Sequence, residues 1–501
     1  VSTDFFKTKP YQHQMEDFPF KLPPYAHQME AVAKSWDREG YAFLADMGTG
    51  KSKMLIDTLG MLHLNDLVDF ALIIAPKGVF RNWPEKELPE HMSDAVNHRV
   101  IRWSSNAGKK AREEMSSVKD KFDGLTVFVM NVEAFSSVKG RNAGEWMAKH
   151  FGPRGLIAID ESTTIKNPKA KRTKALTKIA AGFKYRRALT GSPVSNSPMD
   201  VYSQFEFLGP RLLGYDSFYA FQGRYAVTQR RKMGAHSFDQ IVGYRNIEEL
   251  TSRIDQHAYR VRKEDCLDLP DRVFTTRLVP LSPDQFKMYE QLRTMAMTML
   301  EGGELVTAPA VITQLLRMQQ VLCGHLQTDD GELKTFPCPR LDAAIEIAQE
   351  SSGKVIYFAR FRYDIQQIVE RLKKEFGEHS AAAYYGDTTA DERSQIMKDF
   401  QNPDHPLRFF VGNPATAGYG LTLTQAKTTV FYSNSFSLEQ RIQAQDRNYR
   451  IGQDQKVLYI DLMSDGTIDE HIVQSLKNKI DLSAKVLGEE AMKWLSLKPS
   501  K

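Results

Sequence analysis

Three places in the chain carry residue types whose spacing could do chemistry. Ala45-Asp46-Met47-Gly48-Thr49-Gly50-Lys51-Ser52 follows the apolar run Tyr41–Ala45 and precedes the helix-length run Met54–Leu62. This is a Walker A pattern with Ala where the first Gly usually stands. Gly48 and Gly50 let backbone N–H groups wrap phosphates, Lys51 reaches the β/γ-phosphates, and Ser52 offers its hydroxyl to Mg²⁺. The dipole at the following helix N-terminus adds to the attraction. A plain βα turn has no need of a lysine at position 51. Leu156-Ile157-Ala158-Ile159-Asp160-Glu161 is an apolar strand ending in two acids. Asp160 is expected to hold Mg²⁺, and Glu161 to orient and deprotonate an attacking water. Paired acids at a strand end are more often a solvated turn; the upstream Walker A loop favours the chemical reading. The third place is Gln443-Ala444-Gln445-Asp446-Arg447-Asn448-Tyr449-Arg450. Arg447 and Arg450 are spaced to share a helix face, and two guanidiniums suit a γ-phosphate. A surface ion pair is the commoner fate of such residues.

Gln28 precedes the loop. Its amide both donates and accepts, which suits the N6 and N7 edge of adenine. The candidate ATP contacts are Tyr25, Gln28, Met47, Gly48, Thr49, Gly50, Lys51, Ser52 and Gly420. Gln443 joins Lys51, Asp160, Glu161, Arg447 and Arg450 as candidate catalytic residues. Ser52 and Asp160 are the candidate Mg²⁺ ligands.

Two stretches have the rhythm that could position these residues. From about Tyr25 to Pro193, short apolar runs alternate with helix-length segments: Tyr41–Ala45, Ala71–Ala75, Thr126–Met130, Leu156–Ile159 and Arg186–Leu189. From about Lys354 to Met463 the runs are Val355–Ala359, Ala381–Tyr385, Leu407–Val411, Thr428–Tyr432 and Val457–Met463. Continuous apolar strands between helices imply α/β architecture with two doubly wound parallel sheets. The middle reads as helical insertions, with Ser282–Leu300 and Val311–Leu322 the clearest helices and Arg224–Lys232 a basic patch within them. The expected boundaries are an extension at 1–22, a first lobe at 23–195, insertions at 196–343, a second lobe at 344–468 and a helical tail at 469–501. Pro10–Glu16 echoes Pro24–Glu30, but one echo is no solenoid.

Composition narrows the class. Hydrophobic residues at 42% and charged residues at 26% give core enough for a globular protein and exclude whole-chain disorder or coiled coil. No apolar run reaches the roughly 18 residues of a membrane span. Val1–Pro10 lacks a basic-then-apolar leader, so the expected location is cytoplasmic. Cys266, Cys323 and Cys338 have no zinc-knuckle spacing and read as inert thiols of a reducing compartment. The net charge of +5 permits a polyanionic partner without requiring one.

The ordered set Gln28, the Walker A loop, Asp160-Glu161, Leu189-Thr190-Gly191-Ser192-Pro193 and Gln443–Arg450 resembles the superfamily-two helicases, and more narrowly the Swi/Snf-type DNA translocases. Asp160-Glu161-Ser162-Thr163-Thr164-Ile165-Lys166-Asn167 is similar to that family's Asp-Glu-Ala-His-x-Ile-Lys-Asn box. Ala188–Asn196, Asn82-Trp83, Arg262-Lys263 with Leu269-Pro270, Leu316-Arg317 with Cys323 and His325, Arg450-Ile451-Gly452-Gln453 and Gly466–Glu470 match further segments. The resemblance covers about Pro24 to Leu487. It implies two RecA-like lobes, with ATP bound between them, and movement along double-stranded DNA without routine strand separation. Thr163 stands where the family has His, and Pro414-Ala415 replace its Thr-Arg.

A translocase needs a groove for a polyanion. Lys166–Arg187 holds nine Lys/Arg and no acid: Lys166, Lys169, Lys171, Arg172, Lys174, Lys178, Lys184, Arg186 and Arg187. A solvated helix face is the bland alternative. The candidate nucleic-acid contacts are Lys77, Lys166, Lys171, Arg172, Thr190, Arg230, Arg231, Arg360 and Thr416, aimed at phosphates rather than bases. The expected partner is double-stranded DNA without sequence preference, and the expected form is a monomeric motor of bacterial or viral type. The competing readings are a strand-separating DNA or RNA helicase, for which no wedge hairpin is evident, a motor subunit of a larger complex, and a catalytically idle DNA-binding scaffold.

Overall fold

The computed structural model describes residues 15–104, 108–233, 236–266, 269–301, 308–328, 330–417, 421–450 and 452–486. Most of the first copy of the 10–16 echo, Gly420, and the end of the tail fall outside them. In chain order the strands begin with β1 (Gly40–Ala45), β2 (Phe70–Ala75), β3 (His98–Arg102), β4 (Leu125–Asn131), β5 (Gly155–Asp160) and β6 (Tyr185–Thr190). There follow β7 (Ala226–Met233), β8 (His236–Tyr244), β9 (Ala258–Val261), β10 (Arg272–Leu278), β11 (His325–Gln327) and β12 (Leu333–Thr335). The last are β13 (Lys354–Phe358), β14 (Ala381–Tyr384), β15 (Phe409–Gly412), β16 (Ala426–Phe431) and β17 (Val457–Met463).

The chain divides into two compact units, Val1–Tyr225 with Asn246–Leu267, and Ala226–Arg245 with Asp268–Lys485. The first is built on a seven-stranded sheet of order β3-β4-β2-β5-β6-β1-β9. All of its pairings are parallel. β2 is buried along its whole length, and β1, β4 and β5 at all but one residue each, because helices cover both faces. Helix α1 (Ala26–Ala33) and helix α2 (Lys51–Leu64) pack on this sheet. Nearly all of α2 is buried, from Met54 to Leu62, so the helix that follows the Walker A loop is anchored in the core. Register then sets the site. Leu44 lies beside Thr190, and Leu189 lies beside both Phe43 and Asp160. The C-terminal ends of β1, β6 and β5 thus stand in one row, where open α/β sheets present their ligand sites.

The second unit carries a six-stranded parallel sheet of order β10-β17-β16-β13-β15-β14. Apolar clusters cover both of its faces, one around Val355, Tyr357, Ile365 and Phe409, the other around Ile356, Phe358, Phe410 and Tyr459.

The stretch 196–343 is not the run of helical insertions expected from its sequence. The helices Pro283–Glu301 and Ala308–Leu322 are there. However, β9 completes the first sheet and β10 completes the second, so each lobe reaches into this stretch. The basic patch falls mostly on a strand: β7 and β8 form an antiparallel hairpin, with Arg230 opposite Asp239 and Arg231 opposite Phe238. Among the described residues no helix is long and apolar enough to cross a membrane.

Candidate active site

Gly48 and Gly50 have φ of 84° and 90°, a left-handed backbone that glycine adopts without steric cost. Gly50 is the residue before α2, and a Cβ there would stand 2.2 Å from Gln28 Nε2. The loop is held from several sides. Thr49 Oγ1 donates to the Asp46 carbonyl at 2.8 Å, while Gln28 Nε2 and His27 Nε2 bond the Thr49 carbonyl at 3.0 and 2.9 Å. Gln28 Oε1 accepts from the Tyr25 N–H at 3.0 Å. The Gln28 amide is therefore engaged at both ends, its Oε1 capping α1 and its Nε2 tying α1 to the Walker A loop, and one Nε2 hydrogen is left over for a base. Tyr25 is exposed, and its ring stacks on His27 with the planes 7° apart. Met47 sits half-buried in the turn.

Lys51 is buried, with its ammonium donating to the Ala45 carbonyl at 2.7 Å and the Asp46 carbonyl at 3.3 Å. Asp160 ends β5 nearby. Burial pushes its carboxyl up, opposed by the charge of Lys51, by the Trp83 indole donating to Oδ2 at 3.2 Å, and by the Glu161 N–H donating to Oδ1 at 3.0 Å. Glu161 is itself buried and has φ 52° and ψ 63°, a left-handed conformation on a residue with a Cβ. Strain of this kind persists only where surrounding structure imposes it, and functional sites are where it collects.

Sequence reasoning missed two supports. Burial and the nearby Asp160 push the Glu87 carboxyl up, opposed by the Ser52 hydroxyl beside it. Arg260, on β9, donates to the Leu44 carbonyl at 3.0 Å and the Gly191 carbonyl at 3.2 Å and reaches Asp46 at 3.4 Å, fastening the base of the loop. Arg260 lies over 200 residues from Leu44 in sequence, and no local spacing signals that contact. The donor set fits a divalent cation. Two mutually repelling carboxylates and a serine hydroxyl give a hard, all-oxygen, negatively charged corner. Ser52 and Asp160 are the residues that would hold Mg²⁺.

Elsewhere the structure changes several expectations. Helix Leu438–Gln445 ends before Arg447, so Arg447 and Arg450 do not share a helix face. They converge instead through turns on one acceptor, each donating to the Leu421 carbonyl, at 3.2 and 3.0 Å. Arg447 Nε also donates to the carbonyl of the buried Gln443 at 2.8 Å. Thr190 is fully buried, its Oγ1 accepting from the Ser192 N–H, so it is no contact for a nucleic acid. Arg360 is half-buried, with its guanidinium donating to Gln319 and its N–H to Ser433 Oγ. Packing within its own unit, rather than a backbone phosphate, explains its position.

The basic run also divides. Arg187 is fully buried, donating to the carbonyls of Ser35 at 2.6 Å and Trp36 at 3.2 Å, and burial pushes its guanidinium down to about 9. It is a strap between α1 and β6 and contributes nothing to a surface field. Lys166 Nζ donates to Ser195 Oγ at 2.6 Å, and Arg186 faces Glu39 at 3.5 Å. What remains is helix Lys171–Ala180. Its buried face is Thr173, Leu176, Ile179 and Ala180, while Lys171, Lys174 and Lys178 are exposed on the other side and Arg172 is half-buried. No acid occupies its first turn, where the helix dipole favours acids over lysines. Lys77 is exposed just after β2, Arg230 is exposed on β7, and Thr416 is half-buried in the turn Pro414–Ala417.

The model of the SNF2-related domain matches residues 27–327, and that of the helicase conserved C-terminal domain matches residues 339–452. The chain belongs to the SNF2-related family. Among curated SNF2-like relatives, the uncharacterized ATP-dependent helicase of Mycoplasma genitalium is 25% identical over 472 residues, covering 92% of this chain and 42% of that protein. A Bacillus subtilis protein named as an ATP-dependent helicase/translocase is 27% identical over 475 residues, covering 91% of this chain and 47% of its own length. The chain thus spans less than half the length of either relative. Among solved structures, the Sulfolobus solfataricus SWI2/SNF2 ATPase core in complex with dsDNA is 25% identical, covers 96% of each chain and has a TM-score of 0.42.

Proposed function

We propose that this SNF2-family chain is an ATP-driven motor that moves along double-stranded DNA. The observation that carries the proposal is the row formed by the ends of β1, β6 and β5, which brings Lys51 and Asp160 within electrostatic reach beside the glycine-bearing loop. That constellation binds and polarises a nucleoside triphosphate. Lys51 exchanges its present carbonyl partners for phosphate oxygens. Gly48 and Gly50, in the left-handed backbone and without side chains, let the loop backbone approach the phosphates closely. Glu161, buried beside Asp160, takes the proton of the attacking water. Arg447 and Arg450 remain candidate arginine fingers on their chemistry alone, since a guanidinium suits the charge of a transferring phosphate. Magnesium, when bound at Ser52 and Asp160, neutralises phosphate charge.

For the track, the exposed lysines of helix Lys171–Ala180 suit phosphates rather than bases. Lysines in its first turn oppose the helix dipole, and a polyanion laid there would relieve both unfavourable charges. A second reading, strand separation, gains support from the β7–β8 hairpin, a two-stranded ribbon with exposed residues on both strands. The test is the ATPase rate with duplex DNA, single-stranded DNA, RNA and no nucleic acid, followed by strand displacement on the best activator. Greatest stimulation by duplex without displacement is expected. Displacement that disappears when the hairpin is shortened would establish the second reading instead.

A further inference from the structure

The Asn82-Trp83 segment stands out in the sequence, and the proposed chemistry leaves it without a role. Trp83–Glu87 is a five-residue π-turn, with the Leu88 N–H bonded to the Trp83 carbonyl. The cause is local. Pro89 follows in the helix Leu88–His91, has no N–H, and in an α-helix would press its ring on the carbonyl four residues back, that of Glu85. Widening the turn removes the clash, and such π-turns recur at functional sites. One end of this one meets the acid at the end of β5 and the other lies beside the start of α2. Trp83, 1% exposed, donates its indole N–H to Asp160 Oδ2 at 3.2 Å. Glu87, at the other end, lies beside Ser52, whose hydroxyl favours the charged form of its carboxyl.

These are the two residues that would hold the divalent cation. A carboxylate held by an indole N–H at one oxygen has a fixed plane, and a carboxylate beside a serine hydroxyl draws the hydroxyl hydrogen toward itself and leaves the lone pairs facing outward. We infer that the Trp83–Glu87 π-turn is a positioning device for the cation site, with Trp83 orienting Asp160 and Glu87 orienting Ser52 while adding negative charge. The inference rests on the nucleotide reading above. It differs from it in assigning metal affinity, rather than phosphate binding, to this turn. Outer partners of metal ligands commonly change affinity by about 10–100-fold when removed.

The test uses the full chain and a fluorescent ADP analogue, bound first in EDTA and then with Mg²⁺ titrated back. Mn²⁺ binding in the presence of ADP, followed by electron paramagnetic resonance, reads the metal directly. Glu87→Ala and Trp83→Phe are expected to raise the half-saturating Mg²⁺ and Mn²⁺ concentrations about 10-fold or more. Their ADP affinity in EDTA should stay within about twofold of the parent. Glu87→Gln keeps an acceptor oxygen for Ser52 and is expected to recover part of the loss; being isosteric, it also carries the test should the alanine variant fold poorly. Unchanged metal dependence in Glu87→Gln and Trp83→Phe overturns the inference while leaving the nucleotide site standing. A parent chain that binds ADP equally with and without metal overturns this inference alone, and one that binds no ADP in either condition overturns the nucleotide reading with it.

Discussion

Glu161 links backbone strain to catalysis in a way that two substitutions can separate. Its φ of 52° and ψ of 63° place it in the left-handed region. For a residue with a Cβ that conformation costs about 1–2 kcal/mol. Glycine is free of that cost but gives up about 0.4–1 kcal/mol through the larger freedom of the unfolded chain. Glu161→Ala and Glu161→Gly both delete the carboxylate and every interaction it makes, so their difference isolates the backbone. The glycine variant is expected to be more stable than the alanine variant by about 0.5–1 kcal/mol. For a unit of this size that is a rise in melting temperature of about 1–4 °C. Denaturant titration and thermal melting of the two proteins side by side measure it. Turnover should fall by about 10²–10⁴ in both, because the general base is gone, while binding of the ADP analogue persists. An alanine variant as stable as the glycine variant refutes the strain. Turnover within tenfold of the parent in either variant refutes the base.

Other expectations follow from single features. Asp57 lies buried against Lys53 at 2.8 Å in α2, and burial pushes its carboxyl from 3.8 up to about 6. The folded state therefore binds the proton more tightly than the unfolded state, so this group's stabilisation is present below about pH 4 and is lost as pH rises through about 6. Relative to the parent, Asp57→Asn should gain up to about 3 kcal/mol between pH 4 and pH 7 in denaturant titrations; a flat difference would falsify the assignment. Gly50→Ala forces a Cβ against the Gln28 amide in a left-handed backbone, and calorimetric ADP affinity should drop at least about tenfold. Exchanging Lys171, Arg172 and Lys174 for Gln should weaken duplex binding and flatten its dependence on salt, with the logarithmic slope falling by about one for each phosphate the side chains no longer neutralise. An unaltered slope returns these residues to a solvated helix face. Arg450→Ala should lose stimulated hydrolysis but keep nucleotide affinity; parental turnover would remove it from the site.

The strands that could be read from the sequence were those buried on both faces. β2, β4 and β5 are continuous apolar runs because nothing polar fits between two helical layers. The strands that escaped notice lie at edges or outside the two main sheets. β3 reads His-Arg-Val-Ile-Arg, β9 reads Ala-Tyr-Arg-Val and β10 reads Arg-Val-Phe-Thr-Thr-Arg-Leu, each a short, charge-bearing and only partly buried edge strand rather than a continuous apolar run. The β7 strand, Ala-Val-Thr-Gln-Arg-Arg-Lys-Met, has the composition of a basic helix face, and only its pairing with β8 makes it a strand. The expected lobe boundaries missed β9 and β10 because an edge strand can be contributed by any distant segment that finishes a sheet.

The sequence by itself determined the Walker A loop, the paired acids after β5 and the apolar strands that carry them. These depend on neighbours a few residues apart, where glycine conformation, helix starts and side-chain periodicity act. Tertiary structure alone decided which charges are available. Arg187 and Lys171 look alike in one basic run, yet one is sealed under α1 and the other faces solvent. Tertiary structure alone also set Trp83 against Asp160, Glu87 against Ser52 and Arg260 against Leu44. The reason is physical. Burial and long-range hydrogen bonds depend on where sheet order brings remote segments, and no local pattern encodes that order.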